Sequence, residues 1–177
     1  MDFSGNATVN KLILLFVFDK MEIPLTENTI IEMCSSRPQP WINYMECKQA
    51  MAQLVDAGFI YCPGPSANKE NYYTITPDGR ICLANFFIRI PTSLRGEITD
   101  YIRENRMSFR RKQEYFRDYY KNADGSYTVK LRIHDPVSTV LEIQLNVANR
   151  FIAKAVYTKW EEKAAAVYSQ LYEQLIE

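Results

Sequence analysis

The stretch from Tyr44 to Phe87 limits the fold more than any other part of the chain. Tyr44, Cys47, Met51 and Leu54 recur at intervals of three and four, the spacing of one apolar helix face. Gly58 follows where a left-handed residue ends a helix. Phe59–Cys62 reads as a strand, Pro63-Gly-Pro-Ser-Ala-Asn68 as a loop and Asn71–Thr76 as the return strand. Thr76-Pro77 then supplies an N-cap and a first-turn proline, launching a helix to about Phe87.

Upstream, residues 9–20 are apolar on nearly every side, which suits a buried helix; a strand is the competing reading. Thr26 is placed to cap a helix over 27–35, with Leu25 and Ile30 at the spacing of a hydrophobic staple. Arg37-Pro-Gln-Pro40 breaks the chain, because proline disfavours helix in the residue before it. A third helix is expected from about Trp41 to Ala57. Helix, helix, helix, hairpin, helix is the order of a winged helix-turn-helix, and it defines a first domain over 1–90.

Pro91 interrupts the periodicity, and a second domain is expected over 91–177. Leu94, Ile98, Tyr101 and Ile102 mark a helix of about three turns. Phe109–Lys121 reads as a strand and meets the turn pair Asp124-Gly125. Tyr127, Val129, Leu131 and Ile133 alternate with polar residues, as do Leu141, Ile143, Leu145 and Val147. That period of two predicts an antiparallel meander with one buried face. A long helix closes the chain from about Ala148 to Ile176, with Ile152, Val156, Trp160, Ala164, Val167, Leu171 and Leu175 in one stripe. At ~1.5 Å per residue it is ~40 Å long, more than three strands need for cover. Its surplus, flanked by Tyr168 and Tyr172, points to contact with a second subunit. The fold class is α+β: a winged helix-turn-helix, then a small three-stranded antiparallel sheet with flanking helices.

Composition removes several function classes. The 177 residues carry 21 Lys+Arg and 21 Asp+Glu, so bulk positive charge does not drive polyanion binding. The longest apolar run, Leu12–Phe18, is too short to span a bilayer and lacks the flanks of a signal peptide. Four scattered cysteines with no CxxC pair fit a reducing, cytoplasmic setting. His134 is the single histidine, and glycine-rich phosphate loops and a GxSxG elbow are absent. No catalytic residue, metal site or cofactor is expected, and the His134-Asp135 pair reads as turn chemistry.

Leu54-Val-Asp-Ala-Gly58-Phe-Ile60 and Tyr73-Thr-Ile-Thr76-Pro-Asp-Gly79 with Leu83 resemble a signature of bacterial winged-helix regulators. In that pattern the first piece ends the recognition helix and the second caps the helix after the wing. The whole layout, including Leu12–Phe16, Asn43-Tyr44, Tyr127–Leu131 and Trp160–Tyr168, resembles one bacterial family of winged-helix regulator-like proteins catalogued as a domain of unknown function. The resemblance implies a transcription-regulator-like fold and supplies no operator, effector or activity.

In a winged helix the third helix enters the major groove and the hairpin touches the adjacent backbone. With the Tyr44 stripe inward, Ile42, Glu46, Gln49 and Gln53 fall on the opposite face, Asn43 at its margin and Trp41 at its start. Asn and Gln can pair with adenine and Glu with cytosine; the bland alternative is a solvated polar face. Arg37, Lys48 and Lys69 would meet phosphate. A basic run, Arg103, Arg106, Arg110, Arg111 and Lys112, lies among aromatics. It reads first as a solvated sheet edge and second as a nucleic-acid surface. The expected function is a homodimeric, double-stranded-DNA-binding regulator whose second domain dimerises or senses a small-molecule effector. The alternative is a protein-interaction module, favoured by residues 1–90 carrying 7 basic against 9 acidic groups and by apolar Trp41, Ile42 and Met45.

Overall fold

The computed structural model describes residues 6–65, 70–135 and 138–176. Among these it is an α+β protein with α1 (Ala7–Met21), β1 (Leu25–Thr26), α2 (Glu27–Ser35), α3 (Tyr44–Asp56), β2 (Ile60–Tyr61), β3 (Tyr72–Ile75) and α4 (Pro77–Phe86). A 3-10 turn (Phe87–Arg89) leads to α5 (Thr92–Glu114), β4 (Tyr115–Lys121), β5 (Tyr127–His134), β6 (Thr139–Val147) and α6 (Arg150–Leu175). Two compact units divide at Phe109/Arg110.

In the first unit α1 is the central helix, which explains its all-round apolarity: Ile13, Leu14 and Val17 are fully buried. Leu25 and Ile30 are buried as a staple pair, and Thr26 Oγ1 accepts from the Thr29 amide at 3.3 Å. The third helix starts at Tyr44 rather than Trp41. Asn43 is its cap, accepting the Glu46 amide at 2.9 Å. Trp41 and Ile42 instead turn into the core, because both backbone amides donate to the Cys34 carbonyl, at 3.0 and 3.2 Å. Tyr44, expected inward, is 53% exposed as a result.

The hairpin gains a third strand, in the order β1-β3-β2, through Leu25 opposite Tyr73 and Thr26 opposite Tyr72. A two-residue strand leaves no periodic signal. Three bonds stitch α3, the hairpin and α4 together. Thr76 Oγ1 donates to the Gly58 carbonyl (2.7 Å) and accepts from the Gly79 amide (3.1 Å), and the Thr76 amide donates to the Phe59 carbonyl (3.0 Å).

The predicted boundary at 90/91 moves to 109/110. Ile90, Leu94, Ile98, Ile102 and Phe109 all belong to the first core, so most of α5 does too. The strand predicted from Phe109 starts at Tyr115. Phe109 lies two helical turns beyond Ile102, and the Arg110-Arg-Lys-Gln-Glu114 that follows it is made of strong helix formers. The basic run is therefore helical, not a sheet edge.

In the second unit β4-β5-β6 form the expected antiparallel meander, with Gly125 at φ 87° in the tight turn. Val129 and Leu131 pack under Ala153, Trp160 and Ala164 of α6. The α6 stripe is narrower than predicted: Ile152 (40% exposed) and Leu175 (78%) point to solvent, and Ala153 is buried instead.

Candidate nucleic-acid interface

The exposed outer face of α3 is set by which of its residues the core takes. Cys47, Ala50, Met51 and Leu54 face inward. Met45, Lys48, Gln49, Ala52 and Val55 are left outside, with Tyr44 beside them. Of the eight residues expected to touch DNA, the structure keeps Lys48 and Gln49 on this face, and Lys48 is ion-paired with Glu27 of α2. That pairing raises the Lys48 pKa, chiefly through the hydrogen bond.

The other residues are drawn elsewhere. Asn43 is a helix cap. Trp41 is buried, its Nε1 donating to Glu97 at 2.9 Å. Glu46 turns towards α1 and accepts from Asn10 Nδ2 at 3.3 Å. Gln53 is half-buried and lines clefts against α1. Arg37 lies against two rings that meet edge-to-face, 4.5 Å from the Trp41 centroid and 4.4 Å from that of Tyr101, and pairs with Glu97 at 3.0 Å. Such a guanidinium pins the loop before α3 and is not presented to phosphate. Lys69 lies outside the described residues.

The basic run on α5 is similarly engaged. Arg103 pairs with Asp100, Arg106 with Glu22, and Arg110 with Glu114, whose hydrogen bond raises the Arg110 pKa. Arg111 and Lys112 are exposed. The first unit, residues 1–109, carries 10 basic and 12 acidic side chains.

Groups that could do chemistry are sparse. Cys34 and Cys47 are buried and hydrogen-bonded to each other; that bond, with burial, pushes the Cys34 thiol up and makes it a poor nucleophile. His134 is buried, with Nδ1 3.2 Å from Thr139 Oγ1; burial first and Arg132 second lower its pKa. Among the described residues no group of three or more His, Cys, Asp or Glu is placed to hold a metal ion. No described helix is long and apolar enough to cross a membrane.

No curated protein and no solved structure shows a significant match to the chain. A family model described as a domain of unknown function, DUF4364, matches residues 10–175. That span covers nearly the whole chain, both compact units included, and the protein therefore belongs to the DUF4364 family.

Proposed function

We propose that the first unit is a winged helix and that the protein is a homodimeric DNA-binding regulator, with α3 as the helix presented to the major groove. The observation that carries this reading is the order α1-β1-α2-α3-β2-β3-α4, with a three-stranded β1-β3-β2 sheet and one free long face on α3. Lys48 and Gln49 are its contact residues on that face. The Lys48–Glu27 pair is open to water at both ends, so phosphate can displace Glu27 readily. With few cations available, affinity is modest and depends on two copies binding together. About four phosphate contacts per dimer give a slope of about −3.6 in log K against log salt.

Titrating the full chain against a fluorescent pool of random duplexes at low and physiological salt tests this. Retardation that weakens with salt, and by tenfold or more in Lys48→Glu, is expected. No binding at low salt would sink the reading.

One observation favours a protein partner instead: Tyr44 (53% exposed), Met45 (72%) and Val55 (38%) make the α3 face largely apolar. Aromatic and Met side chains are enriched at protein interfaces. Under that reading the same titration shows no duplex binding at either salt.

A further inference from the structure

Within the first unit, α1, the C-terminal half of α3 and α4 leave a cleft of about 180 Å³. Leu12 and Leu15 of α1, Leu54 of α3, Phe59 after it and Phe86 of α4 form its apolar wall. Two cations, Lys11 and Arg89, also line it, and no carboxylate does among the described residues. Arg89 lies with its guanidinium carbon 5.2 Å from the Phe86 ring centroid, held along the apolar wall.

These two cations differ from most others in the unit. Arg37, Lys48, Arg80, Arg103 and Arg106 each pair with a carboxylate. Lys11 and Arg89 pair with none among the described residues. A cleft with apolar walls and two uncompensated positive charges is complementary to a molecule with an apolar body and one negative end. Its volume lies below the ~300–1,000 Å³ of pockets for drug-sized ligands, so the occupant is small.

We propose that this cleft binds a small monocarboxylate with an apolar tail. The carboxylate meets Lys11 and Arg89, and the tail lies against Leu12, Leu15 and Phe86. Leu54 and Phe59 belong to the cleft as well as to the end of α3 and the start of the hairpin. Occupancy therefore bears directly on the element proposed to meet DNA, and to that extent the inference deepens the regulatory reading.

The test uses the full chain and three probes of eight carbons each, octanoate, octan-1-ol and octylamine, followed by isothermal calorimetry. Octanoate is expected to bind with a Kd on the order of 100 µM, octan-1-ol at least tenfold more weakly, and octylamine more weakly still. Arg89→Gln, at an exposed position where folding is not disturbed, should lose several-fold for octanoate and nothing for octan-1-ol. Lys11→Gln combined with it should remove the preference altogether. Equal affinity for octanoate and octan-1-ol, no binding at millimolar octanoate, or wild-type affinity in Arg89→Gln overturns the proposal. Because binding is read directly, the result is separate from whether the chain binds DNA.

Discussion

Arg37 shows how one side chain serves structure where its charge alone suggests ligand contact. Its guanidinium packs against both Trp41 and Tyr101, which meet edge-to-face, while pairing with Glu97, which also accepts from the Trp41 indole. Removing it strips two ring contacts and leaves Glu97 with the indole alone. Arg37→Ala is expected to destabilise the protein by about 2 kcal/mol, read as a lower urea midpoint. Arg37→Lys should recover little, because a compact, strongly hydrated ammonium lacks the planar fork that touches both rings while it pairs with Glu97. A loss of DNA binding without a loss of stability would contradict this assignment. His134 gives a second test at the same scale. Its lowered pKa means that the folded state favours the neutral ring. Its contribution to stability is complete above the unfolded histidine value of about 6.5 and declines as pH falls below it. Chemical denaturation across pH 7.5 to 5 should show that decline in the wild-type protein, and a shallower one in His134→Leu.

At the scale of elements, the two motif pieces around the hairpin have a shared physical cause. Gly58 ends α3 at φ 72°, letting the Phe59 amide reach back to the Leu54 carbonyl at 2.9 Å. Gly79 is needed for space: a Cβ there would stand 2.2 Å from the Phe59 carbonyl oxygen and 2.9 Å from Ile75 Cγ1. Gly58→Ala should therefore cost about 1–2 kcal/mol in conformational strain alone, with open space around the new methyl. Gly79→Ala should cost more, since backbone must move. Paired urea titrations giving Gly58→Ala the larger loss would refute that ranking. These residues also show what was readable beforehand. Caps, stops and alternation are local, so Thr26, Gly58, Thr76 and Asp124-Gly125 marked their elements within one or two residues. The start of α3 falls at Tyr44 rather than Trp41, because tertiary bonds to the Cys34 carbonyl draw in Trp41 and Ile42. The strand expected over Phe109–Lys121 begins only at Tyr115, because Phe109 continues the helical stripe of Ile98 and Ile102 while the aromatics from Tyr115 onward carry the strand signal. The α3 face was hardest to read. Whether Arg37, Glu46 or Lys48 is available depends on partners 60, 36 and 21 positions away.

Assembly is the property of the whole molecule that the second unit bears on. A three-stranded sheet is ~14 Å wide at ~4.8 Å per strand, while one helix with its side chains covers ~10 Å. α6 covers the β4–β5 side well, burying Val129 and Leu131, but Leu145 of β6 is 39% exposed. Ile143, Leu145, Val156, Trp160 and Val167 line an open apolar groove of about 360 Å³, with Lys159 and Lys163 also lining it. The same helix carries an exposed apolar end, Tyr172 (42%) and Leu175 (78%), beside Glu173. A helix C-terminus bears partial negative charge, which Lys159 and Lys163 of a second copy would complement. The proposed homodimer would place the end of each α6 in the other copy's groove, satisfying both surfaces by one twofold operation. Light scattering at micromolar concentration should give twice the 20.7 kDa chain mass. Leu145→Glu and Leu175→Glu alter exposed positions, so each should yield folded monomer with an unchanged circular dichroism spectrum. A wild-type monomer would remove the dimer altogether, whereas dimers persisting in both variants would move it to another surface. Because the proposed DNA affinity relies on two copies of a weakly charged α3, either variant should also abolish duplex retardation at physiological salt.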